Sequence, residues 1–168
     1  MRGRRLSLQE MSNDEAHLAT IGAISCVCGQ IEIQTKMLAH HLIGADPEIG
    51  HAITSKFGSH TTIVDLISDL VALRLGPELD AKFKTLSGRL KVAATERNDI
   101  LHALIFPGSE SLIKVQFPRR KKLIETVGTI TQAKLEKTLA DMREVYKELT
   151  DFGFPLFKPT YSTRLERT

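Results

Sequence analysis

A chain of 168 residues with 42% hydrophobic and 26% charged side chains can bury a core in one domain without disulfide or metal staples, and its composition is ordinary for a globular protein. The absence of tryptophan and an aromatic content of only 5% argue against a surface that stacks rows of bases. The formal net charge of +3 permits an acidic partner without demanding one.

Residues 1–12 carry Arg2, Arg4 and Arg5 and read as a flexible basic leader, with Met11 as an alternative start. Basic residues ahead of an apolar run ending near Cys26 invite a signal-peptide reading. Asn13, Asp14 and Glu15 interrupt the approach, His17 lies within the run, and Ala23 is small where a lipobox wants a larger aliphatic, so no signal is expected. No stretch reaches the roughly 18 uninterrupted apolar residues of a membrane span. The expected location is cytoplasmic, with no membrane partner.

Asn13 or Asp14 is the expected N-cap of a long first helix running to about Ile43, stopped by Gly44 and kept from resuming by Pro47. Within it, Cys26 and Cys28 point about 200° apart around the axis, too far to share a ligand easily, and read as two buried small hydrophobes in a reducing compartment. His40 and His41 at its end fit capping near the negative end of the helix dipole better than ligation.

Glu48 to His60, broken by Gly50 and Gly58, reads as a short helix and a loop; His51 and His60 have no acidic partner at metal spacing there. A second clear helix opens at Thr61 or Thr62 and stops at Gly76-Pro77, and a third runs from Pro77 to about Ile105 before Pro107. The period then changes. Leu112, Ile113, Val115 and Phe117, then Leu123, Ile124 and Val127, flank Pro118-Arg119-Arg120-Lys121-Lys122 as a hairpin of about residues 111–128 with a basic tip. Helical spacing returns from Thr131, and Pro155 and Pro159 make residues 152–168 an extended C-terminal arm.

The expected fold is all-α: an antiparallel bundle of four to five helices over residues 13–151, with a small β-hairpin inserted before the last long helix.

The third helix carries the chemistry. At about 100° per residue, Phe83, Leu86, Leu90, Arg97, Leu101 and Leu104 fall within about 40° of one line, so Arg97 interrupts the apolar stripe while Asn98 and His102 border it. Asp99 points away, toward solvent. A buried guanidinium without a partner is costly. Two compensations are open: Glu32, an acidic residue between Ile31 and Ile33 of the first helix, or a wet groove at a contact between two protomers. An arginine fork suits phosphate oxygens, and an imidazole moves protons near neutral pH. The Arg-x4-His spacing alone arises often by chance, and what raises it is its place on an apolar seam near a helix end.

Arg97, Asn98 and His102, near the end of a long helix in an all-α bundle, resemble the signature of the HEPN-domain superfamily: an arginine, a polar residue, then a histidine four to six positions on. Ala103 departs from the glycine that many relatives have there, and Glu32 is similar to an acidic residue that some carry on an early helix. The resemblance implies a homodimer with a composite cleft and, in active members, a metal-independent endoribonuclease that directs the ribose 2′-hydroxyl onto the adjacent phosphate. His102 would serve as general base or acid, Arg97 would hold the phosphate, and Asn98 would donate a hydrogen bond or orient His102. Apart from the resemblance, the basic block Arg119, Arg120, Lys121 and Lys122 reads either as a solvated turn or as a contact with RNA phosphates. No cofactor and no metal are expected. An inhibitory antitoxin-type protein would be a partner if the chain is a toxin. The competing expectation is a catalytically silent helical dimer that binds a partner protein or a nucleotide through the same cleft.

Overall fold

The computed structural model of the chain describes the backbone of residues 8–44, 46–101, 104–106, 112–116 and 126–162. It is an all-α bundle of five helices: α1 (Leu8–Ile43), α2 (Pro47–Thr54), α3 (His60–Arg74), α4 (Pro77–Leu101) and α5 (Gln132–Ser162). Between α4 and α5 lies an antiparallel meander in the order β1 (Leu104–Phe106), β2 (Leu112–Gln116), β3 (Thr126–Ile130).

Local chemistry sets the helix ends. Gly44 takes φ 68°, and its N–H donates to the carbonyls of His40 and His41 at 3.2 and 3.1 Å, closing α1 with a left-handed residue that costs glycine little. The Asp46 carboxylate accepts from the Glu48 N–H at 3.0 Å ahead of Pro47, which starts α2. Ser59 caps α3 by accepting from the Thr62 N–H at 3.2 Å, and Gly76 at φ 83° separates α3 from Pro77 of α4.

The core is built by α1 packing on α5, α3 and α4. Ile24, Ile31, Leu38 and Leu42 of α1 meet Val64, Ile67 and Val71 of α3, Phe83 and Leu90 of α4, and Leu135, Met142 and Leu149 of α5. By length and composition α1 is apolar enough to cross a membrane, and it serves here as the central helix of the bundle. At the surface, Lys91 pairs with Asp65 at 2.6 Å and Arg89 reaches Glu144 and Glu148, tying α4 to both neighbours.

Four boundaries differ from expectation. Helix α1 begins at Leu8, inside the segment read as a flexible leader. Helix α4 stops at Leu101, not near Ile105: Leu104 and Ile105 belong to β1, where they pair with Val115 and Lys114. Leu104 fits the helical stripe by spacing, but Leu104-Ile105-Phe106 is also a short apolar run, and the strand wins because β2 offers its backbone as a partner. The expected hairpin is present as β2–β3, with Val115 opposite Val127, but its second strand runs to Ile130 rather than ending near residue 128. Finally, α5 continues as helix through Pro155 to Ser162 where an extended arm is expected. Proline removes one hydrogen bond, but the stretch packs aromatic rings inward: Phe152 lies 5.2 Å from Phe83 and Phe157 lies 5.3 Å edge-on to His41.

Candidate functional site

A cleft of about 430 Å³ opens between α1, the loop ahead of α3, and α4. From α1 it takes Cys28, Ile31, Glu32 and Lys36; from the α3 entry Phe57 to Thr61; and from α4 Leu90, Ala94, Arg97 and Asn98. The floor is apolar and the rim is charged.

Arg97 is placed there because α4 lays its apolar stripe on α1 and α3, and the guanidinium emerges where the stripe meets the cleft. Its side chain is 32% exposed. Nη2 lies 3.9 Å from Glu32 Oε1, and Nη1 donates to Asn98 Oδ1 at 3.0 Å. Nε is buried with no hydrogen-bond partner among the described residues. The ion pair is long, so the fork is steadied rather than saturated, and the donors left on Nη1 and Nη2 are available to an anion.

His60 is the residue that sequence reasoning passed over. It is the first residue of α3, half-buried on the cleft wall, and its Nε2 lies 3.1 Å from Thr35 Oγ1. Thr35 spends its only hydroxyl hydrogen on the Ile31 carbonyl at 2.7 Å, so it can only accept from His60. The ring is therefore the Nε2–H tautomer, with Nδ1 as its acceptor. Burial pushes the imidazole pKa below its usual value of 6.5; Lys36 and Arg97 push the same way and Glu32 opposes them. His60 is a neutral base at neutral pH. The one sequence signal for it was indirect: a threonine on the buried face of α1, three residues beyond Glu32, needs something polar to face.

Two other features complete the electrostatics. The first turn of α3, from Ser59 to Thr61, presents the positive end of its backbone dipole to the cleft, beside Lys36 and Arg97. Cys28 contacts Met142 Sδ at 3.5 Å, and burial raises its thiol pKa to about 11 despite the opposing charge of Arg97, so it remains a protonated thiol rather than a nucleophile. Its neighbour Cys26 is exposed, against the expectation that both are buried; both are free.

Of the residues singled out in the sequence, Arg97, Asn98 and Glu32 converge on this cleft. His102 and the basic block Arg119, Arg120, Lys121 and Lys122 lie outside the described residues. His40 and His41 lie in the last turn of α1, as expected of residues near its C-terminal dipole, and His40 also hydrogen-bonds through Nε2 to Thr54 Oγ1 at 2.7 Å and stands 6.4 Å edge-on to His51, fastening α2 to α1.

No family model matches this chain, and comparison with curated proteins and with solved structures likewise returns no match. The family expectation thus rests on the segment from Arg97 to His102.

Proposed function

We propose that the cleft holds an RNA phosphodiester and that the chain is a HEPN-like, metal-independent endoribonuclease. The observation that supports this reading best is the state of Arg97: a guanidinium on the wall of an open cleft, steadied by Glu32 at 3.9 Å and Asn98 at 3.0 Å, with the N-terminus of α3 opening onto the same space.

In this reading the ribose 2′-oxygen forms a bond to the adjacent phosphorus and the bond to the 5′-oxygen breaks. The products are a 2′,3′-cyclic phosphate and a free 5′-hydroxyl. One proton leaves the 2′-hydroxyl and one is delivered to the departing oxygen, so two proton-transfer groups serve the reaction. His102 is one, carried over from the sequence resemblance. His60, neutral and accepting at Nδ1, is suited to take the 2′-hydroxyl proton. Arg97 and the first turn of α3 stabilise the charge that builds on the phosphate oxygens. A toxin or defence role, with an inhibitory partner, would be consistent with such an activity.

The test is RNA cleavage by the purified protein in EDTA. Wild type is expected to release cyclic-phosphate ends, and His102→Ala and Arg97→Ala to lose that activity. Wild-type protein that binds RNA without cutting it would support the silent binding module instead.

A further inference from the structure

Phe57 brings a benzyl ring into the cleft that the chemistry at Arg97 does not use. It is half-buried, packing against the core while also lining the cleft. Phe83, Phe152 and Phe157 each meet another ring, whereas Phe57 pairs with none among the described residues. Around it the cleft is apolar through Ile31, Ile63, Leu90 and Ala94, and the cations Lys36 and Arg97 line the same space. One cleft therefore offers a flat apolar seat and a place for an anion.

The seat is held in place from both sides. The Phe57 N–H donates to the Thr54 carbonyl at 3.2 Å and the Lys56 N–H to the Ile53 carbonyl at 3.1 Å, which ties the ring to the end of α2. Thr54 is itself buried and bonded to His40 at 2.7 Å, and Ser59 anchors the far side by capping α3. Between them Gly58 leaves the approach open, since a Cβ there would meet nothing within 4 Å. A ring fixed before the ligand arrives loses little freedom on binding.

On the reading of the cleft as a phosphodiester site, we propose that Phe57 is its base platform: it stacks one nucleobase, a purine in preference to a pyrimidine, while Arg97 and Lys36 hold the attached phosphate. The volume of about 430 Å³ lies near the lower end of the roughly 300–1,000 Å³ of small-ligand pockets, which suits one nucleotide unit of a single strand. Every base has a face that can stack, so preference comes from the apolar area covered, and the two fused rings of a purine cover more of Phe57 and the floor. Phe57 and His60 are three residues apart, so their Cα atoms lie within about 11 Å of each other, and a nucleotide seated on the ring is kept beside the imidazole.

Calorimetry on the full chain in EDTA tests this with adenosine 5′-monophosphate, uridine 5′-monophosphate, ribose 5-phosphate and phenyl phosphate. The adenosine compound is expected to bind at least about tenfold more tightly than ribose 5-phosphate, with the uridine compound between them. Phe57→Leu keeps an apolar side chain against the core. It is expected to weaken the adenosine compound about ten- to a hundredfold and to leave ribose 5-phosphate unchanged, while Phe57→Tyr retains the preference. Adenosine 5′-monophosphate that fails to bind, or binds no tighter than ribose 5-phosphate, overturns the proposal. So does a Phe57→Leu protein that weakens both ligands equally or neither, or phenyl phosphate that matches the adenosine compound. RNA cut alike at purine and pyrimidine steps, with no base-dependent affinity, would remove the platform and leave the ribonuclease. Purine binding through Phe57 without RNA cleavage would keep the platform and remove the ribonuclease.

Discussion

Arg97 on α4 and Glu32 on α1 face each other across the cleft, Nη2 to Oε1 at 3.9 Å, with the two side chains 32% and 40% exposed. A pair this long and this wet contributes less than about 1 kcal/mol to folding. Its consequence is for binding, because the carboxylate competes with any anion for the guanidinium. Glu32→Gln is therefore expected to leave the urea-unfolding midpoint nearly unchanged and to tighten binding of a short RNA or a nucleoside monophosphate, read by calorimetry. Arg97→Ala is expected to weaken the same ligands. Equal affinity in all three proteins would remove Arg97 from the site.

Stability should depend on pH through His60 and His40. In the fold both have pKa values pushed below the usual 6.5, His60 by burial and then by Lys36 and Arg97 against Glu32, His40 by burial and then by His51 and Lys36. Below about pH 6.5 the unfolded chain binds protons that the folded chain resists, so stability is fully present above that value and falls as pH drops through it. Thermal melts at pH 7.5 and 5.5 should show a loss at the lower pH, and His60→Gln should reduce that loss. A melting temperature flat across this range would show that neither ring is held neutral.

The parts legible in the sequence were those governed by neighbours in the chain. Gly44 and Gly76 end their helices through a local backbone conformation, and Glu32 could be named as a partner for Arg97 because a charge on an apolar stripe demands compensation. The parts that escaped depend on distant residues. Pro155 argues against helix until Phe152 and Phe157 are seen to find Phe83 and His41, more than sixty residues earlier. His60 looked like a loop histidine because its partner, Thr35, lies on another helix and its neutrality comes from burial that no short window reveals.

Thr35 links the core to the candidate site. It is fully buried, donates to the Ile31 carbonyl at 2.7 Å and accepts from His60 at 3.1 Å. Thr35→Val keeps the shape but leaves the His60 N–H without its acceptor, at a cost of about 1–3 kcal/mol. Urea unfolding measures that cost. Thr35→Ser, which retains the hydroxyl, is expected to restore the His60 tautomer observed by nitrogen NMR while losing only the methyl packing. Loss of that tautomer in Thr35→Ser as well would show that the hydroxyl does not set it.

Two glycines within helices should respond to alanine with opposite signs. At Gly50 an added Cβ would meet His40 Cγ at 3.0 Å, the ring that holds α2 against α1 through Thr54. That ring is clamped and cannot swing aside cheaply, so Gly50→Ala is expected to cost about 1–3 kcal/mol and to loosen α2, as seen in faster amide exchange there. At Gly88, on the exposed face of α4, an added Cβ meets nothing within 4 Å, and Gly88→Ala is expected to stabilise the fold by about 0.5–1 kcal/mol through helix propensity alone. Both values come from the same denaturation experiment. A Gly50→Ala protein as stable as wild type would mean that α2 is not seated on His40, whatever Gly88→Ala does.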